Sequence, residues 1–211
     1  MRIFAIACLL WWSSALASAA PEAGKSWEFS VLLDGSPIGY HHFELLPRES
    51  GLEVRSEAQF DVRFLFFNAF QYRHTNRELW DGECLRLIES RTRQNGKRFA
   101  VFGERDANGL FLDANGRENR LDGCVMSFAY WNPDFLNESR LLDPQSGEYL
   151  SVDVERLGPQ ELEIRGESVV ATAYQLKARN INMTLWYSQD DEWLGLESLA
   201  KGGRIIRYVL S

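Results

Sequence analysis

Apolar and polar residues alternate along most of this chain. In the longest run, residues 52–66, Leu52, Val54, Ala58, Phe60, Val62, Phe64 and Phe66 take even positions, while Glu53, Arg55, Glu57, Gln59, Asp61 and Arg63 take odd ones. A period of two lays one side of a strand on a core and the other in water. Trp27, Phe29, Val31 and Leu33 repeat the pattern, as do Ile181, Met183, Leu185 and Tyr187. Between such runs stand Asp34-Gly35, Asn95-Gly96, Asn108-Gly109 and Asn115-Gly116, pairs that tolerate the positive φ of two-residue hairpin turns. Asp81-Gly82 and Asp122-Gly123 add two corners, and Gly202-Gly203 joins 193–201 to 204–210 in a last hairpin.

One stretch breaks the alternation. Cys-Val-Met-Ser-Phe-Ala-Tyr-Trp at 124–131 is apolar without a period, and Asn132-Pro133 reads as a helix cap followed by Pro at the first helical position. The pattern predicts a mainly β fold: a single curved antiparallel sheet, half-barrel or barrel, with a short helical segment around 124–142. A two-sheet sandwich is the alternative. No fixed-period repeat or low-complexity linker divides the chain, so residues 20–211 are expected to be a single β-rich domain.

The first residues have another purpose. Met1-Arg2 carries one positive charge, residues 3–12 carry none, and Ala15-Leu16-Ala17 and Ala17-Ser18-Ala19 are both of the type read by signal peptidase. Residues 1–19 are therefore expected to be a signal peptide, cleaved after Ala19 or Ala17, and the protein to be periplasmic. A membrane anchor is the rival reading, but the apolar run breaks at Ser13-Ser14, short of the ~20 residues a spanning helix needs. Cys8 stands too early for lipid attachment at the cleavage point. The formal charge of −7 falls by one more unit when Arg2 leaves, which argues against nucleic acid and anionic membrane surfaces as partners.

Export changes how the cysteines are read. Cys84 and Cys124 are the pair left after cleavage, and an oxidising compartment favours a disulfide between them; two separate buried thiols are the alternative. Catalytic chemistry has little support. His41 and His42 are adjacent and point to opposite sides of a strand, and no H-E-x-x-H, H-x-H or paired C-x-x-C is present, so no metal or cofactor is expected. No G-x-S-x-G elbow occurs. The acidic run 189–192 lacks the spacing of a calcium loop, and Asn137-Glu-Ser139 is a sequon that matters only on a eukaryotic route.

The aromatic clusters are the unusual feature. Phe64, Phe66, Phe67, Phe70 and Tyr72 crowd one segment, and Phe128, Tyr130, Trp131 and Phe135 crowd another near Cys124. Aromatic residues on both faces of one strand need two apolar environments. The second is either the mid-chain helix, a bound apolar ligand or a protein partner.

Four strings also carry a family resemblance: 60–74 (Phe-Asp-Val-Arg-Phe-Leu-Phe-Phe-Asn-Ala-Phe-Gln-Tyr-Arg-His), 80–85 (Trp-Asp-Gly-Glu-Cys-Leu), 124–133 and 141–147. With them the chain resembles an uncharacterised family of exported proteins of Gram-negative bacteria, the domain of unknown function numbered 6134. More distantly, the Asp34-Gly-Ser-Pro-Ile-Gly39 hairpin, the Asp81-Gly82 corner and the closing Gly-Gly hairpin are similar to another periplasmic family with curved-sheet, carrier-like folds. The resemblance implies β architecture and a periplasmic address. It implies no activity and supplies no catalytic residues.

Three functions follow in order. The first is a non-enzymatic binding or carrier module for an apolar, lipid-like molecule, with Phe64, Phe66, Phe67, Phe70, Tyr72, Tyr130 and Trp131 lining its site across an apolar space. The second is a cell-envelope module that binds another protein through the same residues. The third is an enzyme using His74 with Asp61 or a nearby acid as acid/base pair. Protein recovered from the periplasm should have the intact mass of a chain beginning at Ala20 or Ser18; a mass that includes residues 1–16 would restore the anchor.

Overall fold

The alternation at Trp27, Phe29, Val31 and Leu33 becomes strand β1 (Lys25–Leu33), with those four side chains buried. A hairpin at Asp34-Gly35, both at positive φ, turns it into β2 (Ser36–Arg48). The computed structural model describes residues 24–64 and 67–211. The chain continues through β3 (Gly51–Phe64), β4 (Phe67–Asp81), β5 (Cys84–Gln94), β6 (Lys97–Asp106), β7 (Gly109–Ala114) and β8 (Arg117–Leu121). A crossover then carries a short hairpin of β9 (Arg140–Leu142) and β10 (Tyr149–Ser151). It leads to β11 (Asp153–Ile164), β12 (Glu167–Ala178), β13 (Ile181–Tyr187), β14 (Trp193–Leu199) and β15 (Ile205–Leu210).

All but β9 and β10 join one antiparallel sheet of 13 strands, in the order β11-β12-β13-β14-β15-β1-β2-β3-β4-β5-β6-β7-β8. The sheet does not close, so the architecture is an open half-barrel, neither a closed barrel nor a sandwich. Its free edges are β8 and β11. Edge strands invite pairing with other chains, and β11 blunts that tendency with Pro159, a register shift between Arg156 and Gly158, and exposed acids such as Glu155 and Glu161.

The inner face of the sheet is covered by the crossover between its own two edges. Val125, Phe135, Leu141 and Leu142 on that segment are wholly buried. Backbone bonds fasten it: Leu85 N–H donates to the Val125 carbonyl at 2.9 Å, and Leu142 N–H to that of Met126 at 2.9 Å. The Tyr187 hydroxyl donates to the Tyr130 carbonyl at 2.7 Å, tying the crossover to β13 as well. At Gly147, with φ of 73°, an added Cβ would lie 2.4 Å from the Ala114 Cβ, so the segment approaches β7 closer than a side chain allows.

The helical expectation for 124–142 shrinks to one 3-10 turn, Pro133–Asn137, with Asn132 as its cap accepting from Asp134 N–H at 3.1 Å. Residues 124–132 are otherwise irregular. One more expectation changes. Glu53, at an outward position of β3, is buried rather than in water, because Arg48, Arg55 and Arg77 close over it. Of the run 52–66, residues 52–64 lie in β3, whose Phe64 pairs with Phe67 at the start of β4, and Leu65 and Phe66 lie outside the described residues.

Cys84 and Cys124 form the disulfide, with Cα atoms 5.0 Å apart. The bond fixes the start of the crossover to the start of β5. Its loop spans a sequence separation of 40, for which the chain-entropy estimate is about 4 kcal/mol. The double variant Cys84→Ser/Cys124→Ser should lose about 2–4 kcal/mol, read as a lower urea midpoint with the strand signal of the native state retained. An unchanged midpoint would show that the bridge carries no stability.

Candidate functional site

β4 presents Phe70, Tyr72, His74, Asn76, Glu78 and Trp80 to the inside, since register pairs them with the inward residues Val62, Phe60, Ala58, Ser56, Val54 and Leu52 of β3. At one end the rings stack. Tyr72 lies 5.1 Å from Phe60 and 6.3 Å from Phe70, centroid to centroid, with His74 next at 6.1 Å. Val31, Ala58 and Phe60 anchor this end as a small apolar cluster apart from the main core, with Ile38, Phe70, Tyr72 and Ile206 packed on it.

The middle of the inner face is polar. His74 Nδ1 lies 2.8 Å from Thr92 Oγ1, and His41 Nδ1 lies 3.2 Å from the Tyr208 hydroxyl. The Tyr72 hydroxyl donates to Gln145 Oε1 at 3.0 Å. Glu78 accepts from Asn76 Nδ2 at 2.9 Å and from Trp80 Nε1 at 3.0 Å. Buried polar groups need such partners. Burial pushes the Glu78 carboxyl up, holds His41 well below its usual range, and lowers His74 to about 4. Both imidazoles are therefore neutral at pH 7.

These positions sort the predicted residues. Phe70 and Tyr72 line the inner face at the small cluster. Tyr130 packs against Phe135 and Trp193, at 5.8 and 5.3 Å, and Trp131 meets Trp80 edge-on at 5.5 Å, so both belong to the main core. Phe66 lies outside the described residues, and for Phe64 and Phe67 only the backbone pairing is described. The space foreseen between the two aromatic clusters holds the crossover. Asp61 does not reach His74. It sits on the outer face, bonded to Arg73 at 2.9 Å, with the sheet between the two side chains. Among the described residues no three His, Cys, Asp or Glu side chains are placed to hold a metal ion.

Open space lies on the other side of the sheet. A groove of about 740 Å³ runs over the outer face from β2 to β7, flanked by Arg55, Arg77, Glu89 and Phe102. It continues into a second of about 470 Å³ flanked by Arg73, Arg91, Arg93 and Arg98. The two share Thr75 and Ala100, whose short side chains form the floor. Sequence reading missed this arginine group. Its odd positions on β4 and β5 are visible in the sequence, but the register that stacks them across strands is not.

Beside the wider part, arginines gather on carboxylates. Arg48, Arg55 and Arg77 all bond Glu53, at 2.8, 2.8 and 3.1 Å, and Arg77 also bonds Glu89 at 3.1 Å. Burial alone would raise the Glu53 carboxyl, but these guanidinium bonds outweigh it and hold the group down to about 2.

Residues 29–211 match the family model of DUF6134, a domain of unknown function. The chain belongs to the DUF6134 family. The DUF6134 fold is similar to the crystal structure of a β-barrel-like protein of DUF1849 from Brucella abortus, with a TM-score of 0.63 at 10% identity over 88% of this chain and 94% of that one. At that identity the likeness concerns fold alone. No curated protein matches the chain in sequence.

The neutral histidines make this DUF6134 domain acid-sensitive. The unfolded chain takes up a proton near pH 6.5 that folded His74 refuses until about 4, so stability is full above pH 6.5 and is lost as pH falls through that window. The loss from His74 amounts to about 3 kcal/mol at pH 4. Glu53 adds its own loss lower down, between about 4.5 and 2. Urea midpoints should fall between pH 7.5 and 5, and fall less in His74→Gln; equal slopes for both proteins would contradict the assignment.

Proposed function

We propose that this DUF6134 protein is an exported, non-enzymatic binding module of the cell envelope that holds its ligand in the groove on the outer face of β2–β7. The observation that carries the reading is where open space lies. A carrier would store an apolar molecule inside the half-barrel, and that interior is occupied by Trp131, Tyr130, Phe135 and Leu141 of the crossover. The outer groove has the size of a ligand site and convergent charged groups on a rigid sheet. The Cys84–Cys124 bridge supports export, since disulfides persist in oxidising compartments. A periplasmic address after cleavage near Ala19 is part of the same proposal. Asp61, the acid named beside His74, bonds Arg73 on the opposite face.

A second reading keeps the apolar ligand. The cluster around Phe60, Phe70 and Tyr72 is separate from the main core, and Ile38, Phe70, Tyr72 and Ile206 are only half-buried. A lipid-like molecule would then cover that end of the inner face.

Native mass spectrometry of protein prepared from the periplasm separates the two. A small molecule should accompany the wild type, leave in Ala100→Trp, which fills the groove floor, and stay in Phe70→Ala. The reverse pattern would move the site to the aromatic end. A bare chain from the wild type would overturn both.

A further inference from the structure

Like charges set directly opposite each other destabilise a sheet, yet the outer face stacks arginines across three strands. Arg73 on β4 pairs with Arg93 on β5, and Arg93 pairs with Arg98 on β6. Arg91 points from the same face two residues along β5, and all four are exposed. Asp61 bonds Arg73 at 2.9 Å; among the described residues Arg91, Arg93 and Arg98 make no ion pair. The neighbouring rows show that the fold can give its arginines carboxylate partners, since Glu53 bonds Arg48, Arg55 and Arg77, and Glu89 bonds Arg77 as well. In a chain with 30 acids against 23 bases, the unmatched end is not a shortage of carboxylates.

That end coincides with the narrower part of the groove. Thr75 and Ala100 stand directly across from Arg91 in the strand register and leave room beside it. Glu57 is the carboxylate lining this part, and it already accepts from the Tyr40 hydroxyl at 2.8 Å. Guanidinium forks match the oxygens of a phosphate and bind it in pairs.

We propose that Arg91, Arg93 and Arg98, together with Arg73, form an anion site for a phosphate-bearing ligand. The proposal rests on the groove reading and names the chemistry of its occupant. The repulsion along the row is relieved when a multivalent anion sits among the guanidinium groups. Removing arginines therefore has opposite effects on stability and on binding.

The test compares wild type with Arg93→Gln/Arg98→Gln, using inorganic pyrophosphate and vesicles of phosphatidylglycerol in phosphatidylcholine at about 0.1 M salt, where surface charges are partly screened. At least one probe should bind the wild type and bind the double variant about tenfold or more weakly, as loss of charged hydrogen bonds predicts. Without probe at low salt, the variant should melt about 1–3 °C higher, since a like-charge pair is gone. Pyrophosphate binding would identify a soluble phosphate ligand, and binding to vesicles alone a lipid headgroup. Neither probe binding, or both variants binding equally, overturns the site. If Ala100→Trp still removes the natural ligand while Arg93→Gln/Arg98→Gln keeps it, the groove stands and the anion site falls.

Discussion

A sheet with one apolar face must bury that face, and an open sheet this wide has no equally wide second sheet to do it among the described residues. In this domain the covering element is the connection between β8 and β11. Because that connection must travel from one free edge to the other, it runs across the inner face, and its apolar residues serve as the other half of the core. Most other features depend on this arrangement. The disulfide holds the start of the crossover against β5, the Tyr187 hydroxyl holds it against β13, and Gly147 lets its far end lie flat on β7.

The outer face then becomes the surface available for binding. Its two parts differ in a way that exposure alone does not explain. Around Glu53, arginines from three strand positions share one buried carboxylate, an arrangement that ties each guanidinium to a fixed partner. Around Arg93 the same residue type is left to face itself. One end of the groove is structural scaffolding, and the other keeps its charge in reserve.

Much of this fold was legible in the sequence. Period-two alternation at Trp27–Leu33, Ile181–Tyr187 and along β3 located inward faces, and Asp-Gly and Asn-Gly pairs located turns at positive φ. Asn132-Pro133 marked its capped turn, and the cysteine count pointed to the bridge. What was not legible has physical reasons. A continuous apolar run such as 124–131 is equally consistent with helix, strand or irregular core, because burial on all sides erases any period. The turn at Arg165-Gly166 escaped because Arg rarely adopts the φ of 53° found there. The burial of Glu53 and the stacking of Arg73, Arg93 and Arg98 depend on cross-strand register, which brings Arg77 to Glu53 across 24 residues and Arg73 to Arg93, and is invisible to local pattern. His74 and Asp61 looked like partners by proximity in sequence and by chemistry, but an even and an odd position on paired strands project to opposite sides.

The strand order has a further effect on how the chain becomes a domain. β1 and β15 are hydrogen-bonded neighbours in the middle of the sheet, although nearly the whole chain separates them: Phe29 pairs with Leu210 and Leu33 with Ile206. Contacts of such long sequence separation slow folding, because loop-closure entropy must be met before the pairing rewards it. As the polypeptide is made, β1 to β8 can zip together as local hairpins, but β1 keeps an unpaired edge until residues 205–210 arrive. The seam between the two halves is thus the last part of the sheet to be completed. Until then the inner face has the crossover but lacks Tyr208 and Leu210, so the domain matures as a unit only once its final strand is released.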